Sequence, residues 1–269
     1  MGHSHGAGQW IAATFEHVRI ISLPSRKDRR RDMTRQLARI GLVPGEGNVA
    51  FFDAVRCEEK GGWPTIGARG CFLSHLGVLQ EARDAGARSV LIIEDDANFG
   101  PALLTATPES LRALGAEPWD IFYGGQQDTD LRAQQPVARV LDPETRIVGA
   151  HFIAMRDAAI PEAAAYLEAL ASRAPGDPAG GPMHVDGAYS RLRRSGSSLK
   201  SAVCVPDLAY QRSSRTDIHE LSLLDRLSGL SGGMNLLRGL QNWLRDRSVG
   251  TKPSASARRP GGKIDRNDA

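Results

Sequence analysis

Apolar residues dominate positions 18–23, and the polar, largely basic stretch that follows carries Met33, Leu37 and Ile40 on one face at helical spacing. This predicts a strand and then an amphipathic helix, with Ser25 and Asp28 placed as a capping box and Gly41 as the stop. The alternation returns along the chain. Residues 49–55 read as a strand, and residues 67–85 as a helix whose Phe72, Leu76 and Leu79 form a core stripe ended by Gly86. Val90, Leu91, Ile92 and Ile93 are consecutive aliphatics with no polar alternation, the pattern of a strand covered on both faces. Thr107, Pro108 and Glu109 supply the cap and first turn of a short helix to Leu114, and residues 119–123 a strand ending at Gly124 and Gly125. Residues 147–155 predict another strand, 161–172 an alanine-rich helix, 175–182 a Gly/Pro loop, 186–194 a helix and 199–205 a strand.

Strands and helices in strict alternation predict an α/β fold: a mixed, mostly parallel sheet with helices on both faces and a ligand site beyond the carboxyl ends of the strands. After Ile218 the pattern changes to leucines at 221, 224, 227, 230, 236, 237, 240 and 244, broken at Gly232 and Gly233. The expected organisation is a flexible N-terminus over 1–17, a folded domain over 18–218, a leucine-rich amphipathic segment over 219–246 and a disordered basic tail over 247–269. The leucines either pack on the body as closing helices or, with the basic tail, make peripheral contact with an anionic membrane surface.

Composition narrows the function classes. With 269 residues, 41% hydrophobic and 24% charged, the chain is an ordinary globular one able to bury a core. Lys and Arg exceed Asp and Glu by 34 to 31, and from Arg245 onward seven basic residues stand against three acidic ones, so the excess lies in the tail. A body with so little net positive charge argues against nucleic-acid binding, which needs basic residues massed on a face. Cys57, Cys71 and Cys204 are odd in number with no C-x-x-C spacing, which fits reduced thiols in the cytoplasm, and Cys71 is expected to be plain core packing. No signal peptide or membrane span is expected, and His3 and His5 read as a mobile, tag-like terminus.

Candidate chemistry begins where the aliphatic strand ends, at Glu94, Asp95 and Asp96. Three adjacent carboxylates repel unless they are solvated or neutralised, and a hard divalent cation, Mg²⁺ or Mn²⁺, neutralises them with oxygen ligands while bridging to phosphate.

That triplet sits in a string of motifs. Ile20-Ile21-Ser22-Leu23 with Arg26 and Arg29 comes first, then G-A-R-G-C-F-L-S-H-L over 67–76 and V-L-I-I-E-D-D over 90–96. Val185-Asp186, Val205-Pro206 to Gln211, and Thr216-Asp217-Ile218 follow. In this order the blocks resemble glycosyltransferase family 25, which includes bacterial lipooligosaccharide galactosyltransferases and collagen galactosyltransferases. The resemblance implies a Rossmann-type nucleotide-sugar-binding fold of the GT-A kind, dependence on Mn²⁺ or Mg²⁺, and inverting transfer of a sugar, often galactose from UDP-galactose, to a glycan acceptor. The competing reading is a non-catalytic nucleotide-sugar or glycan-binding relative with the same fold.

Within that resemblance Asp96 is the first expected metal ligand. Glu94, two residues earlier on the same side of an extended chain, shares the metal or holds ribose hydroxyls, while Asp95 points elsewhere. Arg29, near a helix start, is placed to hold nucleotide or phosphate, or else forms part of a solvated basic face. Leu23, Ser74 and His75 fall in blocks expected near the sugar nucleotide, although Ser74 and His75 read equally as satisfied core polar groups. His151 lines the sugar pocket or is a buried structural histidine. Asp186 is the candidate general base, with a helix N-cap as its alternative. Collagen-type members carry a histidine in the late Pro block that this chain lacks, leaving Gln211, Asp207 or water to complete the metal site. The oligomeric state has no signature in the sequence.

Overall fold

The computed structural model describes residues 4–126 and 135–212. The leucine-rich segment, the basic tail and the Thr216-Asp217-Ile218 block lie outside the described residues. The chain runs α1 Ser4–Thr14, β1 His17–Ser22, α2 Lys27–Arg39, β2 Val49–Asp53, α3 Ile66–Asp84, β3 Ser89–Glu94, β4 Ala97–Phe99, α4 Pro101–Leu104 and α5 Pro108–Ala116. It continues β5 Ile121–Tyr123, β6 Val137–Val140, β7 Phe152–Arg156, α6 Ala159–Ser172, α7 Val185–Arg194, β8 Ser201–Val205 and β9 Ala209–Gln211.

Seven strands form one sheet in the order β2-β1-β3-β7-β5-β8-β6, and β4 pairs with β9 in a small antiparallel ribbon. β1 pairs parallel with both β2 and β3, and β5 parallel with β8, whereas β7 and β6 run against their neighbours. The sheet is therefore mixed, with most strands pointing the same way, and helices cover both faces as the alternation predicts. β3 shows why. Its Val90 and Ile92 belong to the core under α3, α6 and α7, and its Leu91 and Ile93 to the core under α1, α2 and α5, so a strand buried on both sides must be apolar at every position.

Three expectations are corrected. The N-terminus is a helix rather than a flexible lead: Ala7 and Ile11 of α1, with Phe15 just beyond it, are buried against Met33, Leu37 and Ile40 in one cluster. Ser25 and Asp28 do not form a capping box; Arg26 occupies the N-cap of α2 without a side-chain cap, and Asp28 instead accepts from the Arg26 guanidinium. The strand expected over 147–155 begins only at Phe152, while β4, β6, β9 and α4 are too short to carry a readable period.

The topology positions the site. From β1 the chain crosses to β2 on one side and later returns as β3 on the other, which leaves a crevice beyond the carboxyl ends of these strands. α3 closes one wall, held near the exit of β2 by Gly70: a Cβ on this residue would come within 2.7 Å of the Val55 carbonyl oxygen.

Candidate functional site

A cleft of about 410 Å³ opens at that crevice. Ile21, Ser22 and Leu23 at the end of β1, Ser25, Arg26 and Arg29 around the start of α2, and residues 54–57 after β2 form part of its wall. The first turns of α3, with Ser74 one turn further on, and Glu94, Asp95 and Asp96 at the end of β3 complete it. Thr65 caps α3 by accepting from Ala68 N, so the positive end of a 19-residue helix faces the same space as the three carboxylates.

The acidic triplet does not stay extended. β3 ends at Glu94 and the chain turns through Asp95 and Asp96 into β4, so the three side chains go to different partners. Glu94 follows the parity of Val90 and Ile92 towards α3, where its Oε1 lies 3.2 Å from His75 Nε2 and 3.6 Å from Cys71 Sγ. Asp95 accepts from Ser22 Oγ at 2.6 Å and from Arg29 Nη1 at 2.8 Å. Asp96 has its Oδ2 3.6 Å from the same Arg29 nitrogen and 3.4 Å from Gln211 Nε2, while its Oδ1 is buried with no hydrogen-bond partner. The expectation that Glu94 and Asp96 share one side of an extended chain is thus replaced by a turn that presents both to the cleft from different neighbours. Arg212 pins this turn, donating its backbone N–H to Asp96 O at 2.8 Å and its guanidinium to Asp95 O at 3.1 Å and to Asp32.

Electrostatics separate the carboxylates. Burial pushes Asp96 up to about 7, helped by the charge of Glu94 and opposed by Arg29. Burial would raise Glu94 as well, but the hydrogen bond and charge of His75, with the charge of His151, outweigh it and hold the carboxyl below its ordinary value. The Cys71 thiol is pushed well up by burial and by the charges of Glu94, Asp96 and Asp186.

The remaining expected residues divide. Leu23 and Arg29 border the cleft, and Arg29 also pairs with Asp95 and Asp96, two of the three carboxylates for which a cation was the expected counter-charge. Ser74 reaches the cleft wall but is committed to structure, donating to Gly70 O at 2.6 Å and accepting from Val55 N at 2.8 Å. His75 is fully buried behind Glu94, its Nδ1 3.2 Å from Tyr189 Oη, and it meets the cleft only through Glu94. His151 is buried too, with Nε2 3.2 Å from Ala209 O, and is not among the residues that border this cleft. Asp186 lies in the first turn of α7, whose N-cap is His184; it is therefore no N-cap, and its Oδ1 accepts from the next backbone N–H, of Gly187. Cys71, expected to be plain core, lines the cleft. Its spacing of four from His75 is the one sequence signal that would have found it.

The donor set suits a hard cation. The buried, unpartnered Asp96 Oδ1 is an oxygen acceptor that such an ion would satisfy once the carboxyl has shed its proton, and Glu94 faces the same cleft.

Fold and cleft define an open-sheet α/β protein of the switch-point class. Its curated relatives are members of glycosyltransferase family 25. Procollagen galactosyltransferase 1 of Danio rerio is 29% identical over 145 residues, 47% of this chain and 24% of its own length. Procollagen galactosyltransferase 2 of Homo sapiens is 34% identical over 101 residues, 32% of this chain and 16% of its own. A probable inactive family 25 member 3 of Bos taurus is 28% identical over 134 residues, 43% of this chain and 22% of its own. The chain thus spans about a quarter or less of the length of these relatives. Among solved structures, a glycosyltransferase involved in glycosylation of the major capsid of PBCV-1 aligns with a TM-score of 0.36 at 13% identity, covering 69% of this chain and 92% of that one. No protein-family profile matches the chain.

Proposed function

We propose that the protein is a metal-dependent, inverting glycosyltransferase. In this reading it moves a sugar, with galactose from UDP-galactose as the first donor to test, to a surface-glycan acceptor such as lipopolysaccharide or capsule. The observation that carries the reading is the buried, unpartnered Oδ1 of Asp96 at a switch-point cleft that also receives the N-terminus of α3. Similarity to named galactosyltransferases supports it.

Asp96 and Glu94 would hold Mn²⁺ or Mg²⁺, with Gln211 beside Asp96 as a further oxygen donor once its amide is turned over. When bound, such an ion neutralises charge that develops on the leaving diphosphate. The chain's own residues do the rest. Backbone N–H groups at the start of α3 favour phosphate oxygens. Arg29 keeps Asp95 in place and adds positive charge on the α2 side of the cleft. Leu23 and Val55 offer apolar wall to a nucleoside. Asp186 takes the proton of the acceptor hydroxyl; it stands in the first turn of α7, which packs against α3, one wall of the cleft. Unpaired Cys57, Cys71 and Cys204 support a cytoplasmic setting. Among the described residues no helix is long and apolar enough to cross a membrane, and peripheral contact through residues 219–269 is tested by co-sedimentation with anionic liposomes.

The test is a transfer and donor-hydrolysis assay across UDP-sugars. Asp186→Asn should keep donor affinity within about threefold and lower kcat by on the order of 10² to 10⁴. Donor binding with neither transfer nor hydrolysis in the wild type would favour the non-catalytic relative.

A further inference from the structure

Cys71 and His75 are four residues apart on α3, so one helical turn brings both to the same face, and Glu94 reaches that face from the end of β3. Cys71 Sγ lies 3.6 Å from Glu94 Oε1, His75 Nε2 lies 3.2 Å from the same oxygen, and the three donor atoms all fall within 4.8 Å of one another. In a tetrahedral zinc site, metal–sulfur bonds of about 2.3 Å and metal–nitrogen or metal–oxygen bonds of about 2.0–2.1 Å give donor–donor edges of about 3.5 Å for S to O and about 3.4 Å for N to O. The two separations found here match those edges, and the third, between Cys71 Sγ and His75 Nε2, is within 4.8 Å. Cys71 and Glu94 both border the cleft, which supplies an entry path and an open side.

We propose that Cys71, His75 and Glu94 form a three-ligand site for a borderline-soft divalent ion of the zinc type, with its fourth coordination position open to the cleft. The donor set separates this site from that of a hard cation, because thiolate and imidazole select zinc and cobalt over magnesium. The far side of the imidazole fits as well: Tyr189 Oη stands 3.2 Å from His75 Nδ1, where it accepts the remaining ring proton once Nε2 turns to the metal. On loading, the Cys71 S–H bond breaks, its proton leaves to solvent and the sulfur lone pair forms the metal–sulfur bond. Imidazole and carboxylate bind through existing lone pairs. Glu94 is common to this site and to the one proposed for Mn²⁺ or Mg²⁺, so, on that reading, zinc at the trio withdraws a ligand from sugar transfer and inhibits it.

Cobalt titration of the full chain tests the site with no sugar nucleotide present, so its outcome is independent of whether the protein transfers sugar. One Co²⁺ per chain should give tetrahedral d–d bands together with a thiolate-to-cobalt charge-transfer band, both removed by one equivalent of Zn²⁺. The charge-transfer band excludes the terminal histidines, which carry no sulfur. Cys71→Ser should abolish it with an unchanged circular dichroism spectrum, and Cys57→Ser, at the other cysteine on the cleft, should retain it. Glu94→Gln keeps the side-chain shape and should weaken cobalt binding at least about tenfold, which keeps the test decisive where Cys71→Ser does not fold. Absence of the band in the wild type, its survival in Cys71→Ser, its loss in Cys57→Ser, or unchanged affinity in Glu94→Gln would overturn the proposal.

Discussion

The guanidinium of Arg29 stands 2.8 Å from Oδ1 of Asp95, and both side chains are largely withdrawn from water. An ion pair of this kind stabilises little relative to an apolar pair of the same shape, but losing one partner leaves the other charge buried and uncompensated. Arg29→Ala should therefore destabilise the protein by about 3–5 kcal/mol, measured by urea unfolding. A loss below about 0.5 kcal/mol would show that water replaces the guanidinium and that the triplet is not held by it.

Gly70 sets the width of the cleft. Since a Cβ there would sit 2.7 Å from a backbone oxygen, Gly70→Ala must push α3 away from the chain after β2. The expected cost is about 1–3 kcal/mol, accompanied by weaker binding of any ligand that bridges α3 and β1. Thermal unfolding and ligand titration of the same variant check both.

The N-terminal helix gives a third expectation. Ile11 is fully buried, so Ile11→Ala should cost about 2–4 kcal/mol in chemical unfolding, whereas a dispensable leader would leave stability unchanged. This helix marks where the sequence misleads: Gly6 and Gly8 beside histidines look like loose chain, yet Gly8 allows close approach, its Cβ position lying 2.0 Å from the Ile40 carbonyl oxygen. Helix contacts made by absent side chains leave no hydrophobic period to read. By contrast the α/β class was legible in the unbroken apolar run of β3, and the cleft in the acidic end of that same strand. What the sequence could not convey is the turn at Asp95, because the direction of each carboxylate depends on Ser22, Arg29, His75 and Gln211, which come from four separate elements or their junctions.

Asp96 makes the metal-free protein respond to pH in a defined sense. Its folded pKa, about 7, lies above the ordinary 3.8, so its contribution to stability is fully present below about 3.8 and is lost as pH rises through about 7. Because other groups titrate in the same range, the difference between wild type and Asp96→Asn isolates it: the wild type should lose stability relative to the variant between pH 4 and 8. Mn²⁺ affinity should run the other way, strengthening as pH rises through about 7, since the carboxylate must shed its proton to bind. Unfolding curves and metal titrations at several pH values check the two slopes.

Calorimetric titration of UDP-galactose into wild type and Asp96→Asn, each with Mn²⁺ and with EDTA, bears most directly on the idea that Asp96 and its neighbours hold a cation beside a sugar diphosphate. Wild type should bind the donor with Mn²⁺ and lose at least about tenfold in affinity in EDTA, while Asp96→Asn should bind weakly and equally in both. Equal donor affinity in Mn²⁺ and EDTA for the wild type, or metal-dependent binding preserved in Asp96→Asn, would contradict the assignment.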